Sequence, residues 1–331
     1  MTPLRRLLVV PALLLVLAGP QAARAAEPTR GVVVIETALG YQQTSAAGTG
    51  VVLTSGGKVL TNNHVIRGAT QIRVLVPGTG RRYTASVRGY SVTGDVAVLQ
   101  LQQASGIPTA RIGSSAGLQR GHAVTAVGNA GGTRRLVTTR GTITALRQAI
   151  TVRDDQGDAH RLTGLIQVNA ELQPGDSGGP LLDRTGRVIG IDTAASVGFA
   201  FRARDNEGFA IPIDRALAVS RQIDSGRGTT QIHVGPTAFL GIAVHPFGYY
   251  RNGYTPGALV DNVVAGGPAD RAGLQPGHII VAIDGTRVST PASIARLIVL
   301  KKPGDTVRIT WIEPGGERKS ATARLVTGPP Q

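Results

Sequence analysis

From residue 26 to about 223 the chain alternates short apolar runs with Gly, Thr, Asn and Asp turns. Gly31-Val32-Val33-Val34-Ile35, Gly50-Val51-Val52-Leu53, Ile72-Arg73-Val74-Leu75-Val76 and Asp95-Val96-Ala97-Val98-Leu99-Gln100-Leu101 are the clearest runs. Each is rich in β-branched residues and bounded by turn formers, so each predicts a strand. Many strands with few helical stretches between them argue for a sandwich or barrel and against a parallel α/β sheet. Asp214 to Ile223 predicts one short helix closing this region.

Residues 224–235, beginning Asp224-Ser225-Gly226-Arg227-Gly228-Thr229-Thr230, are polar, glycine-containing and without periodicity, and read as a linker. The pattern then restarts over 236–331 as a smaller α+β unit. Gly267-Pro268-Ala269-Asp270-Arg271-Ala272-Gly273-Leu274 predicts a short helix with Pro at its start and Gly at its end. Ile279 to Ile283 predicts a strand, Asp284-Gly285 a hairpin turn, and Thr290-Pro291 the opening of a second helix with Ile294, Leu297 and Ile298 on its apolar positions. The fold expected is mainly β, in two domains.

The N-terminus carries different information. Arg5 and Arg6 precede an apolar run from Leu7 to Ala18, and Ala23-Arg24-Ala25 offers a small-x-small cleavage pattern. The run falls short of the ~20 apolar residues that span a bilayer. Residues 1–25 are therefore read as a cleaved export signal, with no membrane span after it. The chain has no cysteine, so an exported protein of this sequence stands by packing alone and cannot use a thiol nucleophile or thiolate zinc ligands. Net charge is +15, mostly arginine. Without a dense basic tract, interleaved aromatics or zinc-finger spacing, this reads as solvated surface and predicts no specific nucleic-acid partner.

Candidate chemistry sits at three places. Pro174-Gly175-Asp176-Ser177-Gly178-Gly179-Pro180 holds a serine in a glycine-rich turn. Flanking glycines let the backbone curl so that two N–H groups, those of Gly175 and Ser177, point at one spot, as anion stabilisation requires. Thr61-Asn62-Asn63-His64-Val65-Ile66 places a histidine just past an apolar strand end. Thr93-Gly94-Asp95 places an acid at the head of an apolar strand, where it needs a partner. The order His, Asp, Ser suits a nucleophile–base–orienter set. In that set His64 takes the proton of Ser177, and Asp95 fixes the imidazole tautomer. His122, His160, His233, His245 and His278 have no comparable neighbourhood, and no metal or organic cofactor is expected.

With Gly48-Thr49-Gly50-Val51-Val52, Gly94-Asp95-Val96-Ala97-Val98-Leu99, Ala126-Val127-Gly128-Asn129 and Gly208-Phe209-Ala210-Ile211-Pro212 added in order, residues 30–215 resemble the HtrA (Deg) branch of the chymotrypsin-like serine proteases. The resemblance implies two perpendicular six-stranded β-barrels with the active site in the cleft between them. It places His64 and Asp95 on the first barrel and Ser177 on the second, and lays substrate along Thr193 to Ala195. Residues 236–331 resemble a PDZ domain. Phe239-Leu240-Gly241-Ile242 matches its carboxylate-binding loop, which implies that peptide C-termini add as a strand beside Gly241 to Val244. HtrA proteins are often trimers, but Ala26 to Arg30 lacks the aromatic cluster that makes trimer contacts. Leu39 to Ala47 is too short for a long regulatory loop.

Two positions depart from the family pattern. Asp176 stands where Asn is usual, and either an internal arginine (Arg140 ahead of Arg134 or Arg135) pairs with it or it is solvated. Glu171, six residues before Ser177, either lines the specificity pocket with Thr193 and Ala195 and attracts basic side chains, or points to solvent. The function expected is endoproteolysis of misfolded or damaged exported proteins, at a periplasmic, envelope or extracellular location. A narrow-specificity processing protease and a PDZ-led holdase are the alternatives.

Overall fold

The computed structural model describes residues 27–153, 159–193, 207–245, 249–250, 253–254 and 256–331. The expected export signal lies outside them. Six antiparallel strands build the first unit: β1 (Val32–Leu39), β2 (Thr44–Val52), β3 (Lys58–Thr61), β4 (Gln71–Val76), β5 (Arg81–Ser91) and β6 (Val96–Leu101). Their order is β5-β4-β1-β2-β3-β6, and β6 pairs back onto β5, closing the ring. A single turn of helix, α1 (Asn63–Ile66), follows β3. The second unit is a closed barrel of β7 (Ala123–Gly128), β8 (Val137–Arg153), β9 (Ala159–Val168), β10 (Pro180–Leu182), β11 (Val188–Asp192) and β12 (Gly208–Pro212).

The apolar runs are continuous because both faces of these strands are covered. Along β1, Val33 and Ile35 join a cluster fed by all six strands, including Val52, Val59, Val74 and Leu99. That cluster is the interior of the first barrel. Neighbouring positions of opposite parity, Val32, Val51, Leu60, Val96 and Val98, pack instead with Val127, Leu182, Ile191, Ile211 and the helix α2 (Ile213–Asp224). Side chains alternate faces along a strand, so one run feeds both the barrel interior and the seam between barrels. Val124, Ile143, Ile166, Val168, Leu181 and Ala210 form the corresponding cluster of the second barrel.

Helix α2 buries Ile213, Ala216, Ser220 and Ile223, a stripe at helical spacing. Asp214 in its first turn accepts N–H groups from Ser115 at 2.8 Å and Ala116 at 3.2 Å. The Ser115 hydroxyl above all, then the Ser114 hydroxyl and these N–H groups, hold its carboxyl below the usual range.

The expected linker is partly structured. Asp224 still belongs to α2, and β13 (His233–Val234) adds to the first barrel, opposite Tyr90 and Gly89 of β5. The C-terminal unit then comprises β14 (Thr237–Phe239), β15 (Ile242–His245), β16 (Tyr249–Tyr250), β17 (Gly253–Tyr254), β18 (Ala258–Val263), α3 (Pro268–Arg271), β19 (Ile279–Ile283), β20 (Thr286–Arg287), α4 (Pro291–Ile298), β21 (Thr306–Ile312), β22 (Arg318–Arg324) and β23 (Val326–Gly328). Its main sheet runs β15-β18-β19-β21-β22, which leaves β15 at an edge. Asp284 and Gly285 both take positive φ, +48° and +77°, as a two-residue hairpin requires. Among the described residues no helix is long and apolar enough to cross a membrane.

The C-terminal unit is tied to the first barrel through Tyr90. This fully buried side chain packs at a tilt against His233, 5.0 Å between ring centres, and its hydroxyl lies 3.3 Å from Thr237 Oγ1. The Gln331 N–H donates to the same hydroxyl at 3.2 Å. The Gly68 N–H donates to Pro330 O at 2.8 Å, and Tyr41 stacks on Phe239 at 5.1 Å. Tyr90→Phe removes the hydroxyl and keeps the ring, so it is expected to cost about 1 kcal/mol of stability, read as a lower denaturant midpoint at unchanged slope.

Candidate active site

The turn after β3 brings His64 to Asp95, which sits just ahead of β6. Asp95 has φ +51°, a left-handed conformation that Asp tolerates better than most residues. Its backbone carbonyl accepts from Asn62 Nδ2 at 2.9 Å, which fixes the start of α1 against it. The His64 N–H donates to Asp95 Oδ1 at 3.0 Å, and ring Nδ1 lies 3.0 and 2.9 Å from Oδ1 and Oδ2. The Thr193 hydroxyl donates to Oδ2 at 3.0 Å. Asp95 is 6% exposed, so its charge is held by these donors with little help from solvent. An Nδ1–H shared with Asp95 leaves the imidazole lone pair on Nε2.

The serine turn is built from backbone. Gly175 has φ +101°, and a Cβ there would lie 2.2 Å from Asn129 O. Gly178 has φ +85°, and its Cβ would lie 2.1 Å from Thr49 O. Only glycine fits either place. The Pro174 carbonyl accepts from Gly131 N–H at 2.8 Å, and the Asp176 carbonyl from Gly179 N–H at 2.9 Å. In a trans peptide the N–H points opposite to the C=O, so the N–H groups of Gly175 and Ser177 face away from those anchors.

Thr49 of β2 carries this turn. Its N–H donates to Ser177 O at 2.8 Å, and its hydroxyl donates to Gly175 O at 2.7 Å while accepting the Asn129 N–H at 2.9 Å. Beside it, a Cβ on Gly48 would lie 2.6 Å from Val65 Cγ1 of α1 and 3.2 Å from Ser177 O. The helix bearing His64 and the turn bearing Ser177 therefore meet across one glycine. Thr49 entered the sequence reading only within a motif; its hydroxyl bonds between barrels carry no local signal. The bond from Thr193 to Asp95 was likewise missed, since Thr193 was read as a pocket residue.

The remaining expectations fall as follows. Asp176 is buried at 4% exposure, so it is not solvated. Nor does it pair with an expected arginine: Arg140 and Arg135 are exposed, and Arg134 pairs with Glu36. Its Oδ2 accepts the Gln173 N–H at 2.9 Å, while Oδ1 meets no donor among the described residues. The neighbouring acid is Asp192, fully buried at the end of β11. Burial raises the Asp176 carboxyl above its ordinary range. Burial together with the Asp176 charge raises Asp192 well above it. Glu171 is exposed on the loop before the serine turn, and Ala195 lies outside the described residues. In the C-terminal unit Leu240 is core, Gly241 takes φ +83°, Ile242 opens the edge strand β15, and Phe239 lies against Tyr41. Ile294 and Ile298 of α4 are core as well, with Leu297 partly buried beside them. Among the described residues no group of three or more His, Cys, Asp or Glu could hold a metal ion.

Comparison with known proteins finds two matching domains. Residues 48–191 match the trypsin-like peptidase domain, and residues 259–313 a PDZ domain. The serine protease PepD of Mycobacterium tuberculosis is 31% identical over 91% of this chain and 65% of its own length. A probable periplasmic DegP-like serine endoprotease of Chlamydia trachomatis is 35% identical over 83% of this chain and 53% of its own. The chain thus spans between about half and two thirds of these relatives. A solved structure of the HtrA-type protease AlgW with a tripeptide aligns over 92% of this chain and 95% of that one, at 31% identity and a TM-score of 0.50.

Thr49→Val deletes a buried hydroxyl that is both donor and acceptor. It is expected to cost about 1–3 kcal/mol of stability and to lower turnover by about 100-fold through displacement of the serine turn. Thr49→Ser keeps the hydroxyl and should restore most of both, measured by unfolding and by peptide hydrolysis.

Proposed function

Because the chain belongs to the HtrA-type serine proteases, we propose that it is a serine endopeptidase acting through His64, Asp95 and Ser177. The observation that carries this reading is the Asp95 carboxylate, bonded to both the main chain and the ring of His64, beside a serine turn docked on the same barrel. In the reaction His64 Nε2 takes the Ser177 hydroxyl proton as Oγ attacks the scissile carbonyl. The imidazolium that forms is held by Asp95. The oxyanion sits on the N–H groups of Gly175 and Ser177, and His64 returns the proton to the leaving amine. The Thr193 hydroxyl on Oδ2 and the His64 main-chain N–H on Oδ1 hold the Asp95 carboxylate from both sides while both oxygens stay within reach of the ring.

The substrates proposed are unfolded or damaged exported polypeptides, bound extended beside Thr193. The relative named as periplasmic and the leader-like sequence of residues 1–25 support an exported location. A peptide C-terminus is proposed to add beside β15, which has one edge unpaired among the described strands. The exposure of Glu171 weighs for broad specificity over a pocket selecting basic residues.

Wild-type protein should digest casein, and Ser177→Ala should lose about 10⁴-fold or more of that turnover while its unfolding midpoint stays in place. Equal digestion by both would overturn the assignment. A peptide-library scan of the wild type should show no enrichment of Lys or Arg immediately before the cut.

A further inference from the structure

Directly behind the proposed nucleophile lie two buried acids that the reaction does not use. Asp192 N–H donates to Gly179 O at 2.8 Å, and Gly178 N–H donates to Asp192 O at 2.8 Å. Gly179 N–H in turn donates to Asp176 O at 2.9 Å. The main chains of both acids are thus bonded into the turn that shapes Ser177. Their side chains are sealed: Asp192 is 0% and Asp176 4% exposed. Among the described residues, of their four carboxyl oxygens only Asp176 Oδ2 meets a donor, the Gln173 N–H.

Among the described residues the walls offer no compensating charge. Strand β7 presents Gly128, whose Cβ would lie 2.3 Å from Asp176 Oδ1, and then Asn129. Thr49 and Thr61 close the side toward the first barrel, against Gly178. Ala210 of β12 stands opposite Asp192 in register. Among the described residues the titratable groups joined to the cluster are Asp95 and His64, reached through Thr193. A carboxylate in such a place loses its hydration and gains nothing in exchange, whereas a carboxylic acid is far less costly to bury.

Resting on the endopeptidase reading above, we propose that Asp192 is a positioning residue kept as a neutral acid behind the serine turn. The Asp176–Asp192 pair then holds at most one negative charge while the turn is in its working shape. Ionisation of Asp192 beside a charged Asp176 puts two like charges behind Gly178 and Gly179. That repulsion displaces the Ser177 turn and ends catalysis on the alkaline side.

The direction of the pH effect follows from linkage. Asp192 gives up its proton at ordinary acidity in the unfolded chain and at distinctly higher pH when folded. Its contribution to stability is therefore fully present below the unfolded value. It falls as pH rises between the two values and stays flat above the folded one. Asn at this position carries no charge at any pH and adds an N–H donor beside Asp176.

The test uses full-length protein. In a Ser177→Ala background, which prevents self-digestion, Asp192→Asn should gain stability relative to its parent as pH is raised from 5 to 8, with the Tm difference widening by at least ~3 °C. Infrared spectra of the parent should hold a protonated-carboxyl band at pH 7 that Asp192→Asn lacks. In the active enzyme kcat, more than KM, should fall with the same midpoint as that band disappears, and Asp192→Asn should not show that fall. Should Asp192→Asn fail to fold, Asp176→Asn removes the neighbouring charge and should move loss of the band to lower pH. A parent with no such band at pH 7, or a Tm difference constant with pH, overturns the proposal. So does a difference that follows Na⁺ concentration in place of pH. The spectra and melting curves need no proteolysis, so failure of this proposal and failure of the endopeptidase reading show separately.

Discussion

His64 and Asp95 belong to the first barrel and Ser177 to the second, so their registration depends on bonds that cross between barrels. Apolar packing at the seam holds the barrels together, but it is non-directional and sets no position to a fraction of an ångström. The directional element is Thr49. Its N–H and hydroxyl grip Ser177, Gly175 and Asn129, and its own carbonyl accepts the Thr61 hydroxyl at 2.7 Å. Thr61 is the last residue of β3, three positions before His64, so one chain of buried bonds runs from the histidine's strand to the serine turn. The Thr49 and Thr61 hydroxyls each donate within it, and such buried bonds hold a polar network to one geometry.

Backbone shape does the complementary work. Gly175 and Gly178 take conformations and approaches that a side chain would block, and outward anchoring of the Pro174 and Asp176 carbonyls turns the intervening N–H groups the other way. The serine turn needs no side-chain donor to present two aligned dipoles. Its shape is therefore sensitive to whatever packs behind it, and what packs there is Asp176 and Asp192.

Much of this was legible in the sequence, for identifiable reasons. Strand β19 and its Asp284-Gly285 hairpin follow from β-branched residues and a turn pair that both take positive φ. Helix α2 follows from a stripe at helical spacing. The stretches around His64, Asp95 and Ser177 stand out because glycine, threonine and aspartate interrupt apolar runs there. What escaped were relations between distant residues. Thr193 bonding to Asp95 spans 98 positions, and Thr49 bonding to Gly175 spans 126. No local pattern encodes either. His233 and Val234 were read as linker because two residues of strand carry no periodicity, yet pairing with β5 orders them.

The fate of Asp176 shows where local reasoning fails in a different way. A buried acid implies compensation, and the sequence reading sought it in a cation. The structure supplies a second acid instead, which reverses the electrostatic argument: the pair is stabilised by keeping a proton, and charge is the state to be avoided. Asparagine at both places would hold the turn at any pH. Two buried carboxyls bonded through their main chains into one turn make its shape conditional on protonation, so the stretch that forms the proposed oxyanion site carries a dependence on acidity of its own.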